Sequence, residues 1–174
     1  MTIKLSPHFT LGEMTKTKYQ TKDGNIPSRV AIENLKRICE EWLEDLRFSY
    51  NELYGDRREG VRRGGVRREG VRREGVSRND EEEPIIINSG YRSAEVNRLC
   101  GGAKNSNHLT GCAVDIRCLG LEQAIRYASI LLDIADGTKR DYDELFIEKH
   151  GSNYWIHFAV RPKENRRKVA ILIA

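Results

Sequence analysis

Between Arg57 and Arg78 the chain reads RREGV RRGGV RREGV RREGV SR, a tandem pentapeptide that offers a packed interior almost nothing. Its one apolar side chain in five falls out of step with both the 3.6-residue helical period and the 2-residue strand period. Glycine at every fifth position weakens any helix further. Together with the acidic run that follows, the segment 57–83 is expected to be a solvated, disordered insertion within one domain spanning residues 1–174. Whatever folds must therefore be built from the flanking stretches. The repeat also distorts the charge. It carries nine Arg against three Glu, so a chain of net charge +4 has a remainder of about −2. The sequence pI near 8.9 is thus weak evidence about what the fold binds. Regularly spaced Arg pairs could follow phosphates, but no aromatic is interleaved for base stacking. Nucleic acid is an alternative partner and not the expected one.

The flanks show clear periodicity. Ala31, Leu35, Ile38, Cys39, Trp42, Leu43 and Leu46 recur at spacings of three and four, which predicts an amphipathic helix of about 20 residues opened near Pro27 and Ser28. Pro84 to Asn88 carries three consecutive Ile and predicts a short buried strand. Ser93 to Cys100 suggests a short helix ended by Gly101 and Gly102. Cys112 to Cys118 alternates, with Val114 and Ile116 on one face and Ala113, Asp115 and Arg117 on the other. A second long helix runs from Leu121 to a stop expected at Asp136 and Gly137. Two strands follow, Glu144 to Glu148 and Tyr154 to Val160, joined as a hairpin through residues 150–153, and Lys168 to Ile173 is a candidate edge strand. These elements define an α+β chain, with a small, mainly antiparallel sheet packed by helices. No apolar run approaches the ~18 residues of a membrane span. The first residues carry no apolar signal-peptide core, which implies synthesis in the cytoplasm. Four cysteines without CxxC spacing suggest reduced thiols.

Two of the four histidines stand in unusual settings. His108 precedes Gly111, whose turn leads into the strand carrying Asp115. His157 lies on the strand face opposite Ile156, Phe158 and Val160. Two His and one Asp form an open ligand set for zinc, with a fourth position left for water. From spacing alone the signal is weak, and two ordinary structural histidines are the favoured reading.

The linked motifs Ser89-Gly-Tyr-Arg92-Ser, Asn97, Gly101-Gly102, Ser106-x-His108-x-x-Gly111-x-Ala113-x-Asp115 and Trp155-Ile-His157 resemble those of the zinc D-alanyl-D-alanine carboxypeptidase family. This is peptidase family M15, and the likeness is to its phage endolysin-like peptidase domains. The opening Leu5 to Met14 fits the same group, and the resemblance covers Leu5 to Val160 apart from the repeat. It implies a hedgehog/DD-peptidase-like fold and a Zn²⁺ ion held by His108, Asp115 and His157. It also implies a substrate-binding and oxyanion-stabilising Arg92, and a substrate or ligand contact from Ser106. The substrate implied is a peptidoglycan stem peptide, cut by carboxypeptidase or endopeptidase action, by a monomer. Release at lysis or through a holin-type pore would reconcile that substrate with the missing signal. Many relatives place a carboxylate three residues before the last histidine, where this chain has Tyr154. If the hairpin pairs Lys149 with Tyr154, then Glu148 opposes Trp155 and shares a face with His157. Glu148 is accordingly the expected general base, and Trp155 a candidate floor for the substrate cleft. A non-catalytic zinc-bearing module on the same fold is the alternative.

Overall fold

The computed structural model describes residues 2–22, 24–55 and 82–173. The repeat, the insertion expected around it and the nucleic-acid alternative built on it lie outside the described residues, save for Glu82 and Glu83. These two are tied to the long helical rod: Arg47 pairs with Glu82, and the Glu83 backbone N–H donates to Asn51 Oδ1 at 2.7 Å.

The rod consists of α2 (Arg29–Ile38), a π-helical turn (Cys39–Leu43) and α3 (Glu44–Tyr54), preceded by the short α1 (Leu11–Met14). Ser28 caps it by accepting a hydrogen bond from the Ala31 N–H. The expected residues are its buried stripe: Ala31, Leu35, Ile38, Cys39, Trp42, Leu43 and Leu46 are each at most 1% exposed. The rod runs on past Arg47 because Tyr50 extends that stripe, stacking edge-on against Tyr127 at 4.8 Å. The π turn accommodates the adjacent pairs Ile38–Cys39 and Trp42–Leu43, so that both members of each pair face the core.

Five strands follow: β1 (Ile87–Ser89), β2 (Ala113–Cys118), β3 (Glu144–His150), β4 (Asn153–Ala159) and β5 (Lys168–Ile173). They form one sheet in the order β1-β2-β4-β3-β5, antiparallel except for the β3–β5 pair, in agreement with the expected class. The short α4 (Ala94–Leu99) lies between β1 and β2. The long helix α5 (Leu121–Thr138) and the rod cover one face, where Val114, Ile116, Ile156 and Phe158 are fully buried. Several further details differ from expectation. Helix α5 continues through Gly137 to a left-handed Lys139 (φ 59°), because Ile134 and Ala135 still pack inward. The triple-Ile run is not buried throughout. Ile85 and Ile87 face the core while Ile86 is 45% exposed, and the strand expected from Pro84 to Asn88 begins only at Ile87 and runs to Ser89. The hairpin loop shrinks to Gly151 and Ser152, since His150 and Asn153 still pair, and Gly151 supplies the positive φ of 58° such a turn needs.

A candidate metal centre on the open face of the sheet

The opposite face of the sheet carries a cleft of about 990 Å³. Its floor follows from strand register. Asp115 on β2 pairs directly with His157 on β4, which pairs with Phe146 on β3; the next row is Arg117, Trp155 and Glu148. The pairing of Lys149 with Tyr154, and so of Glu148 with Trp155, is the register expected from the sequence. Glu148, Trp155, Arg92, Ser106, His108, Asp115 and His157 all line this cleft.

His108 arrives from a different element. A 3₁₀ turn (Asn107–Thr110), capped by the Ser106 hydroxyl accepting from the His108 N–H at 3.3 Å, brings the ring to Asp115 on the cleft side of β2. Ser106 therefore acts on the backbone of His108. Gly111 ends the turn at φ 69°, and a Cβ there would meet the Ala31 carbonyl oxygen at 2.4 Å, so both backbone shape and helix contact demand glycine. The His108 ring is 2% exposed, and its Nδ1 lies 2.6 Å from the Gly90 carbonyl oxygen. That carbonyl is itself held in place. Tyr91 N–H donates to Met14 O, and Asn25 bridges Thr15 O, Tyr91 O and the Ser93 N–H.

The three side chains converge. His108 Nε2 is 3.2 Å from Asp115 Oδ1 and 3.3 Å from His157 Nδ1, which is 3.0 Å from the same carboxylate oxygen. An ion bound tetrahedrally at ~2.0–2.1 Å would need ligand atoms ~3.3 Å apart, so the spacing suits a zinc-sized cation. His108, Asp115 and His157 are the one group of metal-ligating geometry among the described residues. The electrostatics agree. Burial pushes the Asp115 carboxyl upward, but His108, the hydrogen bond from His157 and the Arg92 guanidinium outweigh it and hold it well below the usual carboxylate range. Burial would likewise lower His157, yet Asp115, Glu144 and Glu148 raise it to about 9. The site thus attracts positive charge at neutral pH, whether as a proton or a metal.

Arg92 donates from Nε to Ser89 Oγ at 2.8 Å and from Nη2 to Asp115 Oδ2, leaving its Nη1 donors uncommitted among the described residues. Glu148 is half-buried beside Trp155, and its carboxyl is raised above the ordinary value, mainly by burial. Cys100 and Cys112 are free thiols outside the ligand group. Sequence reasoning missed Glu144, whose carboxylate lies 3.4 Å from His157 Nε2, and Arg166, which grips Glu144 at 2.7 Å. Strand alternation places Glu144 with Phe146 and Glu148 and could have flagged it; nothing in the sequence points to Arg166.

A sheet whose open face gathers a His-Asp-His cluster defines a candidate metalloenzyme scaffold. The chain belongs to the Peptidase M15 family, whose sequence pattern matches residues 46–157, and it is a peptidase of the metallopeptidase class. No curated protein matches the chain. No helix among the described residues is long and apolar enough to cross a membrane.

Proposed function

We propose that the protein is a zinc peptidase that hydrolyses peptide bonds in peptidoglycan stem peptides. The observation that carries this reading is the convergence of His108 Nε2, Asp115 Oδ1 and His157 Nδ1 within 3.0–3.3 Å at the floor of an open cleft. These three residues would hold the ion. When bound, zinc supplies the Lewis acidity that makes water a nucleophile near neutral pH and polarises a carbonyl. Glu148 takes the proton of the attacking water and passes it to the leaving amine, a task that suits a carboxyl raised by burial and set on the His157 face. Arg92 holds the anionic oxygen that develops on the scissile carbonyl, or a substrate carboxylate, through its uncommitted donors. Trp155 supplies an apolar floor, and Ser106 keeps His108 in place from the backbone side. Lys16, Lys18 and Arg117 also line the cleft, which suits an anionic peptide.

Incubating zinc-loaded protein with peptidoglycan and reading the soluble fragments by mass spectrometry tests the proposal. Release of D-Ala indicates a carboxypeptidase, and release of internal peptides an endopeptidase. No release, from protein shown to carry zinc, overturns the peptidoglycan reading and leaves the zinc-bearing module.

A further inference from the structure

His157 has two ring nitrogens, and the structure gives them different neighbours. Nδ1 faces Asp115 and His108, while Nε2 lies 3.4 Å from Glu144 Oε2. An ionised carboxylate can only accept, so a proton between them belongs to Nε2, and the lone pair is left on Nδ1. His108 is arranged in mirror fashion, its Nδ1 set 2.6 Å from the Gly90 carbonyl and its Nε2 turned to the cluster.

Glu144 is not a loose surface charge. Its Oε1 receives Arg166 Nη2 at 2.7 Å, and its Oε2 receives Asn107 Nδ2 at 3.1 Å. Both donors are anchored on Asp143, a fully buried carboxylate that takes Arg166 Nε at 2.7 Å, Arg166 Nη2 at 2.5 Å and Asn107 Nδ2 at 2.8 Å. Asn107 is the neighbour of His108, and Arg166 comes from the segment after β4. One lattice of two carboxylates, an amide and a guanidinium thus ties both histidine-bearing elements to the approach to β5. Phe146 closes the remaining side, stacking on the His157 ring at 5.7 Å and 21°.

We propose that Glu144 is a positioning residue. Held by Arg166 and Asn107, it fixes His157 in the tautomer and ring orientation that present Nδ1 to the metal. The inference rests on the metal-centre reading above. Removing such a partner typically weakens metal binding by ~10–100-fold.

Zinc affinity is measured by competition with a chromophoric chelator for the wild type, Glu144→Leu, Glu144→Gln and Arg166→Gln, with circular dichroism to verify folding. The visible spectrum of the cobalt(II)-loaded proteins reports ligand geometry. Glu144→Leu is expected to lose about 10–100-fold in affinity and to shift the cobalt bands. Glu144→Gln keeps an acceptor and is expected to recover most of both. Arg166→Gln frees the Glu144 carboxylate and is expected to show a smaller loss in the same direction. Wild-type affinity and spectrum in folded Glu144→Leu would overturn the positioning role while leaving the metal centre intact. If that variant does not fold, unchanged affinity and spectrum in Arg166→Gln overturn the role equally. A wild type that binds neither metal overturns the metal-centre reading itself.

Discussion

In the proposed mechanism, Glu148 does the work that a carboxylate at the position of Tyr154 would otherwise do. A carboxylate three residues before His157 would sit on β4; here that place belongs to an aromatic ring, and the acid on the neighbouring strand opposes Trp155. Glu148→Gln is therefore expected to lower kcat by ~10²–10⁴-fold with zinc stoichiometry unchanged. Unaltered turnover would remove Glu148 from the reaction. A base must be ionised, and burial raises this carboxyl above its ordinary 4.5. The acid limb of the rate profile is accordingly expected above that value, with activity falling as pH drops through it. The cysteines give a second residue-scale expectation. Cys39 and Cys118 are buried thiols pushed upward by desolvation, Cys118 to about 12, and Cys112 is 3% exposed, whereas Cys100 is exposed. Thiol titration of the native protein should find one fast-reacting group, Cys100, and all four only after denaturation.

At the scale of elements, the 3₁₀ turn before β2 carries His108 into the candidate metal centre. Gly111→Ala would strain a backbone at φ 69° and press a methyl group against the Ala31 carbonyl. A loss of about 1–3 kcal/mol is expected in denaturant unfolding, with a larger proportional loss of zinc affinity, because the turn carries His108. Equal affinity at reduced stability would show that the turn re-forms around the extra methyl. The lattice around Asp143 makes a further prediction. Burial alone would raise that carboxyl; hydrogen bonds from Arg166 and Asn107, with the Arg166 and Arg161 charges, lower it below the ordinary 3.8. A depressed carboxyl contributes stability that is complete above its unfolded pKa and lost as pH falls through the folded one. Wild-type stability should thus decline below about pH 4 more steeply than that of Asp143→Asn, as followed by thermal melts across that range.

At the scale of the whole molecule, the described residues on either side of the repeat are joined directly to each other. Asn51 on the rod and Glu83 before β1 are hydrogen-bonded in both directions, at 2.7 and 3.1 Å, so the chain leaves and re-enters at one place. Replacing residues 57–78 with a short polar linker is expected to leave peptidase activity within about twofold and Tm within a few degrees, since loop length enters stability only logarithmically. Collapse of folding on that deletion would show the repeat to be part of the structure. Loss of DNA binding with peptidase activity retained would assign it a separate role.

The elements were legible because each rests on a local period: the rod from its three-and-four spacing, β2 to β4 from alternation, and Glu148 from hairpin register. His157 was conspicuous as a histidine on a strand face turned away from the core, but its grouping with His108 and Asp115 came from the resemblance to family M15 and not from spacing. Stretches with no repeating period were less legible. The rod outlasts its predicted end because Tyr50 finds Tyr127 from a distant helix, and α5 outlasts Gly137 because a packed face outweighs one glycine. Glu144, Asn107, Asp143 and Arg166 meet across as many as 59 residues of chain, and the ring nitrogen that faces the cluster is chosen by that meeting. Periodicity encodes which side of an element is apolar, and so the sequence alone determined the strands and the helices, while the candidate ligands came from the family resemblance. Convergence of groups from separate elements depends on how those elements pack, and only the tertiary structure decided the spacing of the three candidate ligand atoms and what holds them there.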